Sequence, residues 1–225
     1  MSEETQMRAV TVAETFVDIW NPADVPHIEI SGPSGSGTRA AAQKIATHAI
    51  TTWGAEVRLI VGHPGTAALF ESPVVAWHPE DALELIESML RDLNRRLAQL
   101  EEEQHTGEQP PAVHPIVLVV DEYSTLIQRP SPNPTVRTRI REYLGDILAL
   151  GRNVGIHVIV TGAAPSFAHI GQRDGIGQVV LGPMSSVPVA QLSAGLYQVA
   201  ELPIRPIGSG WYFRTGDHRP QPVGF

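Results

Sequence analysis

The chain has 225 residues, 42% hydrophobic and 18% charged, with a formal net charge of -8 and no cysteine. A chain of this size and composition can bury a core without staples. Disulfides and thiolate metal sites are excluded, and no apolar run approaches the roughly 20 residues that a membrane-spanning helix needs.

The opening MSEETQMR has neither the basic start nor the apolar run of a secretory signal, so a cytoplasmic location is expected. Residues 1–112 carry 7 Lys+Arg against 17 Asp+Glu, and residues 113–225 carry 9 against 7. The chain as a whole therefore lacks the basic balance of a protein that coats nucleic acid.

In chain order, residues 26–31 (PHIEIS) are predicted as a short strand, followed by a Gly-rich turn. A helix is predicted over 38–52, where Ala42, Ala46 and Ile50 recur at four-residue spacing. A second strand is expected over 56–62, ending at His63-Pro64-Gly65. The clearest helix runs over 79–103, with Leu83, Ile86, Leu90, Leu93, Leu97 and Leu100 as an apolar stripe and Pro79, Glu80 and Asp81 at its start. Residues 101–115 (EEEQHTGEQPPAVHP) read as a surface linker, and 128–135 (QRPSPNPT) cannot be helical because three prolines interrupt it.

The runs 116–120 (IVLVV) and 156–160 (IHVIV) have the uninterrupted β-branched character of strands covered on both faces. A helix over 136–150 lies between them, and weaker strands are expected at 179–181 and 211–214. This alternation predicts an α/β fold with a mainly parallel central sheet flanked by helices.

Two stretches carry chemistry. The turn GPSGSGTR, residues 32–39, has the glycine spacing of a phosphate-binding loop, whose backbone N–H groups and following helix start face phosphate oxygens. Gly32, Pro33, Ser34, Gly35, Ser36, Gly37, Thr38 and Arg39 are the candidate nucleotide-binding residues. Thr38 stands where such a loop has Lys, and Arg39 stands where it has the Ser or Thr that binds magnesium. Loss of both groups removes several kcal/mol of transition-state stabilisation, because preorganised charge is the main catalytic term in phosphoryl transfer.

The second stretch is the strand that ends in Asp121 and Glu122. Asp121 is the candidate metal carboxylate, and Glu122 the one that polarises an attacking water. An acidic pair after a strand is also an ordinary solvated strand end. What raises its weight is the phosphate-loop pattern about 85 residues upstream.

Together, "VPHIEISGPSGSG", "VLVVDEYSTLI", "LALGRNVGIHVIVTGAAPS" and "GSGWYF" resemble the successive motifs of the FtsK/SpoIIIE DNA translocases and the related plasmid-transfer motors of actinobacteria. The resemblance spans roughly residues 25–216. It implies a RecA-like P-loop ATPase domain that assembles as a ring and uses ATP and Mg2+ to move double-stranded DNA. Residues 1–24 are then an N-terminal extension or edge strand and 217–225 a C-terminal tail. The family's sensing Gln and neighbouring Arg fall on Ala163 and Ala164, two further departures from its pattern.

Three readings follow. One is a DNA translocation or transfer protein that is hydrolysis-deficient, with weak or absent ATP binding. A second is a pseudo-ATPase interaction module with no cofactor, in which Arg39 pairs with Asp121 or Glu122 and the partner is a related motor or another protein. The third is an active DNA-stimulated ATPase. Candidate DNA contacts, on the family resemblance, are Arg129, Arg137, Arg139 and Arg141, whose plainer reading is a solvated loop and helix with Glu142 and Asp146 as partners. The nine histidines show no zinc-like spacing, and no Gly-x-Ser-x-Gly elbow is present.

Overall fold

A computed structural model describes residues 16, 20–70, 72, 74–107, 113–163, 176–182, 206–213 and 221–225. Its strands are β1 (His27–Ser31), β2 (Glu56–Val61), β3 (Val74–Ala76), β4 (Ile116–Asp121), β5 (Ile156–Gly162), β6 (Ile176–Leu181), β7 (Ser209–Phe213) and β8 (Gln221–Gly224). The helices are α1 (Thr38–Trp53), α2 (Pro79–Thr106), α3 (Tyr123–Gln128) and α4 (Thr135–Leu150). They form one sheet in the order β3-β2-β4-β5-β1-β6-β7-β8. The first six pair in parallel, and β7 and β8 are antiparallel additions at one edge.

Every residue of β1, β4 and β5 is buried, as the lack of polar alternation in these runs requires. The pleat divides their side chains between two cores. Leu118, Val120, Val158 and Val160 pack with Ile86, Met89 and Leu93 of α2 and with Ile140, Leu144 and Ile147 of α4. On the other face, Val117, Val119, Ile159, Ile28 and Ile30 meet Ala41, Ala42, Ile45 and Ala49 of α1. Each large aliphatic side chain so buried contributes about 1.5–3 kcal/mol. The small residues of α1 let it lie close over β1, β4 and β5, which fixes where its first turn points.

Helix ends follow local chemistry. Pro79 occupies the first turn of α2 with Glu80 and Asp81 beside it, favourable next to the positive helix start. This helix continues through the acidic residues to Thr106 and stops at Gly107. The expected linker at 101–115 is therefore corrected in its first part: Glu101–Gln104 are good helix formers carried on by the apolar stripe behind them. The proline-rich segment is non-helical, as expected, and separates α3 from α4.

Residues assigned to the two extensions also join the fold. Phe16 and Trp20 are buried, with the Phe16 ring 5.0 Å from Tyr212 and 5.5 Å from Phe225. Residues 221–224, read as part of a tail, supply β8. The short elements β3 and α3 carry too few periodic positions to be recognised from sequence. Ala164, Pro165, Ser166 and Arg214 lie outside the described residues.

Candidate functional site

β1 lies between β5 and β6, while β4 lies on the far side of β5. The turn after β1 and the carboxylates after β4 therefore leave the same edge of the parallel sheet with β5 between them. At two strand spacings, these strands are about 10 Å apart. Ligands of open α/β sheets bind at this edge.

The turn is tied down from several directions. Gly32 N–H donates to the Gly162 carbonyl at 3.1 Å, Ser36 N–H to the Pro33 carbonyl at 3.0 Å, and Gly208 N–H to the Ser36 carbonyl at 3.1 Å. A Cβ on Gly32 would lie 2.4 Å from Ser36 Oγ and 2.7 Å from the Leu181 carbonyl oxygen, so glycine is required for this close approach. Gly37 caps α1 at φ 101°, in the left-handed region. The backbone thus turns sharply into the helix at Thr38, and Arg39 lies in its first turn. A cleft of ≈ 520 Å³ opens above, lined by the turn together with Gln43, Glu122, Thr125 and Ala163 among others.

Arg39 spans the cleft floor. Its Nε donates to Asp121 Oδ2 at 2.9 Å and its Nη2 donates to Glu122 Oε1 at 2.9 Å. Asp121 is only 1% exposed, against 34% for the Arg39 side chain and 46% for Glu122. The remaining carboxylate oxygens have partners too: Thr161 Oγ1 donates to Asp121 Oδ1 at 2.8 Å and Thr125 Oγ1 to Glu122 Oε2 at 3.3 Å. Glu122 N–H donates to Thr161 Oγ1 at 3.0 Å. Glu122 has φ 56°, the one non-glycine residue with positive φ among those described. A strained backbone of this kind costs about 1 kcal/mol or more and persists where surrounding contacts over-determine it.

A phosphate loop with an Asp-Glu strand end implies magnesium, and the donor set does not fit it. The hydroxyl position is taken by a guanidinium, and each oxygen of Asp121 and Glu122 already accepts a hydrogen bond from the protein. Among the described residues, no group of three or more His, Asp or Glu is placed to hold a metal ion. Thr38 brings no cation to the loop.

Thr161, Thr125 and Thr66 were not singled out from sequence. Thr66 Oγ1 lies 3.5 Å from Asp121 Oδ2. The available signal was Thr161 at the end of an apolar strand, but only the pairing of β4 with β5 puts it beside Asp121.

The four candidate DNA-contact arginines do not form one patch. Arg129 donates to the carbonyls of Gly62 and Trp77, with its guanidinium 5.9 Å from the Trp77 ring centre. Arg139 pairs with Glu87 and with the Tyr143 hydroxyl. Arg141 acts on the buried Tyr123 hydroxyl, which burial pushes up to about 12 while the guanidinium pulls it back. Arg137 and Arg141 are four residues apart on one face of α4, with Arg139 on another.

At the opposite edge of the sheet, His27 and His157 are buried. Val158 N–H donates to His27 Nδ1 at 3.1 Å, and His157 Nδ1 donates to the Pro26 carbonyl at 3.0 Å. Burial, and then the neighbouring His157, lower the His27 pKa to about 3.

No protein-family model and no curated protein matches the sequence. Solved structures do match in fold. The pCW3 conjugation coupling protein TcpA, in its monomer form with ATPγS, has TM-score 0.70 and 17% identity over 92% of this chain and 62% of its own. The cytoplasmic domain of EssC has TM-score 0.66 and 17% identity, covering 92% and 40% respectively. The genome packaging NTPase B204 of Sulfolobus turreted icosahedral virus 2, in complex with ATPγS, has TM-score 0.53 and 12% identity over 91% and 98%. The chain spans under two thirds of the length of TcpA and of EssC. It has the P-loop fold of the FtsK/SpoIIIE-type motors, as the resemblance of its motifs implied.

Proposed function

We propose that this chain is a non-hydrolysing, motor-fold subunit of a DNA translocation or transfer machine, working in the cytoplasm beside an active motor of related fold. The observation that carries this reading is the direction of Arg39. Arg39, in the first turn of α1, faces Asp121 and Glu122. A working loop presents Lys to the terminal phosphates and leaves the carboxylates for metal and water. Here the carboxylates are neutralised by the chain itself, and the loop offers a triphosphate only backbone N–H groups and hydroxyls.

The sheet then serves as a scaffold for assembly, with ATP bound weakly or not at all. Contact with double-stranded DNA falls to Arg137 and to the exposed Arg141, which also faces the Tyr123 hydroxyl, because Arg129 is engaged by the Gly62 and Trp77 carbonyls and Arg139 by Glu87.

The test is calorimetric titration with ATP and Mg2+, alongside the double variant Thr38→Lys/Arg39→Thr. The expected result is little or no heat from the natural protein and saturable binding by the double variant. Steady ATP hydrolysis by the natural protein, accelerated by double-stranded DNA, overturns the reading in favour of an active motor.

A further inference from the structure

We infer that Arg39 is the resident cation of this site: its guanidinium has taken the place of the divalent ion, and the Asp121–Glu122 pair takes no magnesium. The inference deepens the non-hydrolysing reading and rests on it, since both concern the same carboxylates.

Geometry is the first ground. The start of α1 and the end of β4 leave the sheet with β5 between them. A Ser or Thr at position 39 has a short side chain and leaves a gap to the carboxylates, which a metal and its water shell fill in a working site. Arginine is long enough to close that gap alone, and it does so with two bonds of 2.9 Å to two different carboxylates.

Saturation is the second ground. Asp121 is held by Arg39 and Thr161, and Glu122 by Arg39 and Thr125. A divalent ion entering here must displace at least one of these donors and approach a fixed positive charge. Magnesium also demands near-octahedral oxygen ligands, and no hydroxyl stands at position 39 to help complete them.

The third ground is the backbone. Glu122 is kept at φ 56°, and its N–H and both carboxylate oxygens are engaged. The strand end is therefore held in a ligating shape by protein groups alone.

Manganese titration followed by electron paramagnetic resonance tests this directly, because bound Mn2+ loses its free-ion signal and stands in for magnesium. The natural protein is expected to leave the free signal unchanged beyond surface binding. Arg39→Ser is expected to gain one site at least about tenfold tighter, equivalent to about 1.4 kcal/mol. That gain should vanish in Arg39→Ser/Asp121→Asn. Should Arg39→Ser prove unfolded by circular dichroism, Arg39→Gln, uncharged and two atoms shorter than arginine, carries the same expectation.

Mn2+ binding by the natural protein that is as tight as in the Arg39 variants, and that is lost in Asp121→Asn, overturns the inference. So does failure of a folded Arg39 variant to gain a site. ATP turnover is measured in parallel with and without EDTA. Metal binding without turnover removes this inference and leaves the non-hydrolysing reading intact, whereas turnover that persists in EDTA removes that reading and leaves the inference standing.

Discussion

At the carboxyl end of β4 the buried Asp121 is charged, and at the amino ends of β1 and β5 the buried polar groups are neutral imidazoles. Asp121 is 1% exposed and stays among apolar strands because Arg39 and Thr161 supply hydrogens to it. His27 is wholly buried and receives a backbone N–H on Nδ1, a bond that requires the unprotonated nitrogen. A carboxylate can be buried at the cost of recruiting a cation, and the recruited cation then occupies the place where chemistry would occur. A histidine avoids that cost by remaining uncharged. At one end of the sheet a long side chain therefore reaches two carboxylates, and at the other the two histidines are held by bonds to backbone groups.

The comparison can be broken most forcefully at Asp121. Asp121→Ala leaves the buried Thr161 hydroxyl without its acceptor and Arg39 facing only Glu122, so unfolding free energy is expected to fall by about 3 kcal/mol in urea titrations. A loss under about 1 kcal/mol would show that the charged end is not held by this pair.

The histidine end is tested by pH. His27 has its ordinary pKa of 6.5 when unfolded and about 3 when folded. Between these values the unfolded chain binds the extra proton, so stability is complete above pH 6.5 and declines as pH falls towards 3. The decline is about 1.4 kcal/mol per pH unit, or about 2 kcal/mol between pH 7 and pH 5. His157, also lowered by burial, acts in the same direction. Urea midpoints across this range should show the slope, and His27→Asn, which keeps an acceptor near Nδ1, should flatten it. An unchanged slope in that variant would remove His27 as its source.

A smaller effect is expected from Arg39→Lys. Lysine keeps the charge but loses the planar fork that reaches two carboxylates, and the site is partly open to solvent, so about 1 kcal/mol should be lost. Thermal melts in low and high salt measure it, with the difference between natural protein and variant shrinking as salt rises. The smallest effect belongs to Glu122→Asn, within about 0.5 kcal/mol by urea titration: an exposed ion pair disappears while asparagine tolerates the left-handed φ better. A loss comparable with that of Asp121→Ala would show that both carboxylates share the load, and that burial does not separate their roles.

Much of the frame was legible beforehand because it rests on local patterns. The β-branched runs at 116–120 and 156–160, the leucine stripe of α2 and the glycine spacing at 32–37 each state their structure within a few residues. The loop and the Asp-Glu pair were likewise visible as motifs. The three threonines around the carboxylates were not: the place of Thr161 at the end of an apolar strand does not name its neighbour, and nothing local distinguishes Thr125 or Thr66 from any other threonine. The scattering of the arginine group was also hidden. Residues 129–141 read as a cluster along the chain, yet Arg129 turns to the carbonyls of Gly62 and Trp77, and Arg139 to Glu87 on α2.

By itself, the sequence determined the α/β alternation, the glycine turn, the replacement of Lys and hydroxyl by Thr38 and Arg39, and the carboxylates at a strand end. These follow from side-chain type and spacing, which act over one or two turns or a single strand. Only the tertiary structure decided where the Arg39 charge goes. That depended on the strand order, which inserts β5 between β1 and β4 and sets a separation that arginine, but not serine or threonine, can span.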